Sequence, residues 1–97
     1  MFDPSALTCD GFLGGALQIW QPIKGYRAAM DPVFLAASVP AKAGQSVLEL
    51  GCGAGVASLC LAKRVVGLSS YGVERQADYA VLARQNAFEN SLNFTVE

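Results

Sequence analysis

The stretch Ser46-Val47-Leu48-Glu49-Leu50-Gly51-Cys52-Gly53-Ala54-Gly55 decides the fold. A short apolar run stops at three glycines on alternate positions, and a helix-like pattern follows. That order predicts a buried strand, a tight turn and a helix start. Glycines lack a Cβ, so they reach positive φ and let a ligand lie against the backbone. The helix N-terminus beyond them offers unpaired N–H groups and a partial positive charge. Glu49 is the odd residue, an acid near the end of an apolar strand. Burying a carboxylate is costly unless it is paired, so Glu49 is expected to face the loop and accept hydrogen bonds there. The plain alternative is a strand-to-helix connection that holds no ligand.

Spacing separates the kinds of ligand. A dinucleotide fingerprint asks for G-x-G-x-x-G or A, whereas the glycines here run G-x-G-x-G and Val56 occupies the place of the third small residue. A second acid follows about twenty residues on, at the interval where such folds hold a ribose. It is Glu74, which ends the run Tyr71-Gly72-Val73-Glu74, read as the next parallel strand. An acid at that tip can accept both hydroxyls of a ribose; the alternative is a cap on the helix that follows. E-x-G-x-G-x-G coupled to this later acid resembles motif I and the acidic motif of class I S-adenosylmethionine-dependent methyltransferases.

Composition sets the bounds. The chain has 97 residues, 53% hydrophobic and only 15% charged. A domain of this size buries roughly two-thirds of its unfolded surface, and the low charge favours a mostly buried α/β sheet over a disordered chain. The net charge of −1 supplies no overall basic field for nucleic acid. The three cysteines, Cys9, Cys52 and Cys60, are odd in number and lack CxxC spacing. They argue against a disulfide frame or a zinc site and for a reduced, cytoplasmic setting. Cys52 lies in the glycine loop, where a small side chain serves packing. Without histidine, His-dependent acid–base or metal chemistry is excluded within the chain. Met1-Phe2-Asp3-Pro4 does not read as a secretion signal, and no apolar run approaches the roughly 20 residues of a membrane helix.

Along the chain, residues 1–10 carry little pattern and read as a leader. Gly11 to Gly15 punctuate the start of a strand in which Leu17 and Ile19 alternate with Gln18 and Trp20. The turn signals of Pro22-Ile23-Lys24-Gly25 suggest a hairpin back through Tyr26-Arg27. Asp31-Pro32 reads as an N-cap with proline at the first helical position, opening a helix that Pro40 interrupts. After the glycine loop, Val56, Leu59, Cys60, Ala62 and Val66 mark one helix face, with Lys63 and Arg64 near its end and Gly67 as the stop. Gln76 to Asn90 form another helix, with Ala80, Ala83 and Ala87 as a close-packing stripe broadened by Tyr79, Leu82 and Phe88. Leu92, Phe94 and Val96 alternate in a third strand. The fold expected is therefore α/β and Rossmann-like, a parallel sheet in the order 3-2-1 with flanking helices. Residues 11–45 would form the hairpin and first helix, and residues 46–97 the cofactor-binding βαβαβ unit of one domain.

The N-terminal pattern sharpens the resemblance. Leu17-Gln18-Ile19-Trp20-Gln21-Pro22 leads to Gly25-Tyr26-Arg27, then Asp31-Pro32-Val33-Phe34-Leu35-Ala36-Ala37. A G-Y-R, a D-x-x-x-L-A and a V-L-E-L-G-C-G-x-G in this order resemble the N-terminal half of the small-domain methyltransferases. The nearest likeness is to bacterial tRNA (adenine-N6)-methyltransferases that modify the position next to the valine tRNA anticodon. The resemblance implies S-adenosylmethionine as cofactor, with Gly51, Cys52, Gly53 and Gly55 along its methionine and ribose side. Glu49 would fix the loop and receive the methionine amino group. Glu74 would bind the ribose hydroxyls and Arg75 would flank the adenine. Tyr26, Arg27 and Asp31 would sit over the pocket as a lid, although a hairpin-stabilising Tyr and an N-capping Asp serve equally well as structural roles.

The family's Asn-Pro-Pro-Tyr, which holds the adenine amino group and stacks on the base, does not occur in this sequence. The expectation is a cofactor-binding N-terminal part, truncated before the catalytic motif and inactive alone, with tRNA reached through the missing half. An unpaired sheet edge along Val47–Leu50 would favour self-association. Two other readings compete: a non-catalytic binding or interaction module on the same fold, and an NAD-dependent oxidoreductase, which Val56 and Glu49 disfavour.

Overall fold

The computed structural model describes residues 1–97 apart from Tyr26 and Ala29. Three parallel strands carry the glycine loop: β3 (Ser46–Leu50), β4 (Ser69–Val73) and β5 (Phe94–Val96), in the spatial order β3-β4-β5. Val47 stands opposite Ser70, and Tyr71 opposite Thr95. Helix α2 (Val56–Arg64) joins β3 to β4, and α3 (Ala77–Glu89) joins β4 to β5. This is the expected Rossmann-like βαβαβ, with the strands in the expected order. β4 ends at Val73, one residue short of the sequence reading, which leaves Glu74 just beyond the strand tip.

One face of the sheet packs on the helices and the other stays open. Ser70, Gly72, Phe94 and Val96 point to the helix side and are buried, as are Leu59, Leu82 and Ala83 on α2 and α3. Gly72 is fixed by space: a Cβ there would lie 2.6 Å from Phe94 Cζ and 2.8 Å from Cys52 Sγ. No side chain fits between the strand and those two, so glycine lets the β5 phenyl ring and the loop thiol meet over β4. Leu48, Leu50, Tyr71 and Val73 alternate onto the opposite face and are exposed. Alternation at period two sorts the residues this way.

The N-terminal region corrects the sequence reading. Residues 1–10 are not a leader: a 3-10 turn at Pro4–Ala6 leads into β1 (Leu7–Phe12), which pairs antiparallel with β2 (Leu17–Pro22). The hairpin therefore closes backwards from β2 onto β1, and Arg27 lies in no strand. Tyr26 lies outside the described residues. The turn runs through Leu13, Gly14 and Gly15, all at positive φ, a conformation the two glycines adopt without steric cost. Helix α1 (Asp31–Ser38) follows, with Met30 as its N-cap and no side-chain capping bond. Asp31 is thus the first helical residue, favoured there by the helix dipole, and Pro32 the second.

Two further corrections concern helix faces. Phe88 is 85% exposed and does not broaden the alanine stripe of α3, whereas Ala80, Leu82, Ala83 and Ala87 are buried as expected. Val66 is exposed, because α2 ends at Arg64. Arg64 closes a long-range contact instead, donating to the carbonyls of Ala36 and Val39 at 3.1 and 2.7 Å. It thereby satisfies acceptors at the C-terminal end of α1.

Leu17 and Ile19 are fully buried where β2 packs against α2 and α3. The backbone of β2 is also fastened. Asn86 accepts from Trp20 N–H at 2.8 Å and donates to Trp20 C=O at 3.1 Å. Asn90 repeats the pattern on Gln18, at 2.9 and 2.8 Å. Four residues of helix advance about 6 Å and two of strand about 6.6 Å. Asparagines spaced by four therefore match alternate residues of a strand, and their amides stand in for a missing partner strand.

Candidate functional site

The C-terminal ends of β3 and β4, the glycine loop and the start of α1 surround a cleft of about 420 Å³. That lies within the range of small-molecule sites, roughly 300–1,000 Å³. Gly51, Gly53 and Gly55 all have φ between 57 and 91°, the left-handed region. At Gly51 and Gly53 a Cβ would meet nothing within 4 Å, and both line the cleft. The backbone there faces open space, where a ligand can touch it directly. Gly55 is different: it is buried, does not line the cleft, and serves as N-cap of α2 with Phe94 against it.

Glu49 and Glu74 both line the cleft. Glu74 accepts from Gly53 N–H through Oε1 and from Gln76 N–H through Oε2, each at 2.8 Å. It therefore locks the glycine loop and also satisfies the N-terminus of α3. An ionised carboxylate has about four lone-pair sites, so two remain for ligand hydroxyls. Glu49 accepts from Ser58 Oγ at 2.6 Å. Burial pushes its carboxyl above the usual value, against the lowering effect of hydrogen bonds from the Ser58 side chain and backbone.

Cys52 also lines the cleft but is buried, its thiol pushed up to about 11, first by burial and then by the charges of Glu49 and Glu74. A thiol held protonated is a packing group and not a nucleophile. Cys60 is buried in α2 and likewise raised to about 11 by burial, while Cys9 stands exposed on the hairpin. No group of metal-ligating side chains occurs among the described residues.

Asp31 lines the cleft. Arg27 does not, being committed to the hairpin through Asp10 Oδ2 at 3.0 Å, Thr8 Oγ1 at 2.9 Å and Pro22 C=O at 2.8 Å. Arg75 is exposed and outside the cleft lining, where Gln76 and Tyr79 stand from the following turn. Gln21 was not anticipated: the inward alternation of Leu17 and Ile19 carries it into the cleft wall. Among the described lining residues are three acids, Asp31, Glu49 and Glu74, and no lysine or arginine.

The methyltransferase small domain family matches residues 27–97. The chain belongs to that family. Its fold agrees with solved structures. The YcgJ protein of Bacillus subtilis superposes with a TM-score of 0.60 at 19% identity, covering 71% of this chain and 30% of that one. The PH0226 protein of Pyrococcus horikoshii gives 0.50 at 26% identity, covering 70% and 29%. The methyltransferase small domain chain thus spans under a third of the length of these two proteins. No curated protein matches it. No helix among the described residues is long and apolar enough to cross a membrane.

Proposed function

We propose that this chain binds S-adenosylmethionine in the acidic cleft and forms the donor side of a methyltransferase. The carrying observation is the pairing of an open glycine backbone with three acids and no described basic residue in the cleft. S-adenosylmethionine supplies a methyl group activated on a positively charged sulfonium, and it also carries an ammonium group. An acidic, partly enclosed site favours both charges. The same charge repels a pyrophosphate, which bears on the dinucleotide alternative. In this reading Gly51 and Gly53 give backbone contact, Glu74 accepts the ribose hydroxyls, and Glu49 receives the methionine amino group. Cys52 and Gly55 shape the loop, and Arg75 flanks the adenine from the rim.

The substrate proposed is the adenine N6 of a tRNA, on the strength of the G-Y-R and D-x-x-x-L-A pattern. The 97 residues contain no Asn-Pro-Pro-Tyr to orient an adenine amino group, and methyl transfer depends on orienting donor and acceptor together. We therefore infer donor binding without tRNA methylation by this chain alone. The reduced cysteines support action in the cytoplasm. A second reading, an interaction module that joins a further copy through the outer edge of β3, draws on the exposed Leu48 and Leu50.

Calorimetric titration with S-adenosylmethionine, its demethylated product and NAD tests the main reading. We expect binding of the first two and none of NAD. Charge-assisted hydrogen bonds contribute about 1.5–3 kcal/mol when shielded, and the cleft is open. Glu74→Ala should therefore weaken binding about tenfold, or about 1.4 kcal/mol. A folded Glu74→Ala protein with unchanged affinity would remove this residue from the site.

A further inference from the structure

The third inward residue of β2 is a glutamine where the alternation of Leu17 and Ile19 calls for an apolar side chain. Gln21 is 2% exposed, and a buried amide is costly unless bonded at both ends. Its Nε2 donates to Asp10 Oδ2 at 3.0 Å, and its Oε1 accepts from Ala28 N–H at 2.6 Å. Only one orientation of the amide satisfies both, since a carboxylate accepts and a backbone N–H donates. Asp10 is itself held by Thr8 Oγ1 at 2.9 Å and by the Arg27 guanidinium at 3.0 Å. The hairpin thus grips two adjacent residues, Arg27 by its side chain and Ala28 by its backbone. Gln21, Ala28, Asp31 and Pro32 line the cleft together with the glycine loop.

We propose that Gln21 is a positioning residue of the cofactor cleft, transmitting the fixed geometry of the hairpin through Ala28 to the start of α1. This rests on the cofactor reading above. Its structural basis is a buried side chain that bridges a carboxylate on β1 and a backbone N–H in the cleft wall. Among the described residues Ala28 N–H donates to Gln21 Oε1, so losing the amide should loosen this stretch of the wall while the Asn86 and Asn90 contacts keep the hairpin docked.

The test compares three forms of the 97-residue chain: wild type, Gln21→Leu and Asn90→Ala. Asn90→Ala loosens the same hairpin at Gln18, away from the cleft wall. Affinity for the demethylated cofactor product is measured by calorimetry, together with melting temperature and amide hydrogen exchange. We expect Gln21→Leu to weaken affinity about tenfold and to speed exchange at Ala28, with Leu59 and Ala83 unchanged. Asn90→Ala should lower the melting temperature and leave affinity within twofold. Equal loss of affinity in both variants would mean that binding merely follows hairpin stability, and would overturn the proposal. Unchanged exchange at Ala28 in Gln21→Leu would overturn it as well. Should Gln21→Leu fail to fold, Asp10→Ala removes the outer anchor at a half-exposed position and should weaken affinity about threefold; unchanged affinity there overturns the proposal. If wild type does not bind the product, the cofactor reading falls, and exchange at Ala28 decides the positioning role by itself.

Discussion

The outer edges of β2 and β3 both present backbone groups at alternate residues, and the chain closes one and leaves the other open. On β2, Gln18 and Trp20 meet the amides of Asn90 and Asn86. On β3, Gln45 C=O accepts from Ser69 and Gly51 N–H donates to Val73, so alternate residues from 45 to 51 face β4. The N–H and C=O groups of Ser46, Leu48 and Leu50 then point away, and no described strand pairs there. Leu48 and Leu50 are also 62% and 76% exposed. The difference shows how an edge can be satisfied without a strand. It needs two amides at helical spacing, and their loss or provision should convert one edge into the other.

Breaking the closed edge should have the largest effect. Asn86 is fully buried and also donates to Ala54 C=O in the glycine loop at 2.9 Å. Asn86→Ala strands three backbone groups, Ala54 C=O in a buried bond and the two of Trp20 in part-buried ones, each costing about 1–3 kcal/mol when fully buried and unsatisfied. With partial relaxation, we expect a loss of about 3 kcal/mol by urea denaturation. Asn90 is only half-buried, so Asn90→Ala should cost about 1 kcal/mol. Equal costs at the two positions would mean that burial does not set the strength of this fastening.

The open edge should respond in association more than in stability. Leu48→Lys changes an exposed side chain, so stability should move by about 0.5 kcal/mol or less. The charge should discourage edge-to-edge pairing, and sedimentation should show less self-association than wild type. A wild-type chain that remains monomeric at about 50 μM, the range in which such edges aggregate, would remove the edge as an association surface.

The smallest contrast is in pH. Burial raises the carboxyl of Glu49 on β3 from 4.5. Its native state therefore holds the proton more tightly than the unfolded chain, and stability is lost as pH rises past about 4.5 through the folded value. Asp10 on β1 has the opposite sign. Burial tends to raise it, but the bonds from Thr8 and Gln21 and the charge of Arg27 lower it from 3.8. Its stabilisation is present above about 3.8 and lost as pH falls through the folded value. Melting curves of Glu49→Gln should lose the decline on the alkaline side of this window, and those of Asp10→Asn the decline on the acid side. A Glu49→Gln curve parallel to wild type would show that the carboxyl titrates alike in both states.

The central βαβαβ was legible because its signals are local. Apolar runs, glycines and helical spacing lie within a few residues of one another, and the same pattern singles out Glu49 and Glu74, both of which line the cleft. The first strand escapes the sequence reading, which takes residues 1–10 as a leader and Gly11 to Gly15 as punctuation before β2 and not as part of a hairpin. A double glycine at that point was the available signal. Asn86 had no such signal. Its partners lie 66 and 32 residues away, so no local pattern announces that it is buried and bonded. Gln21 was hidden in the same way, because nothing near it in sequence announces Asp10 or Ala28. Arg75 adjoins Glu74 in the chain, but the turn after β4 sends it outward.

The three thiols give the native chain a practical property. Cys52 and Cys60 are shielded and held protonated near 11, while Cys9 stands exposed on β1. Burial and the charges of Glu89 and Asp10 raise the Cys9 thiol too, so access decides: a maleimide dye applied to the folded protein should attach at Cys9 alone, without any engineered cysteine. That place is next to Asp10, at the root of the linkage from hairpin to cleft wall. A fluorophore there would watch the hairpin from outside while leaving the glycine loop untouched.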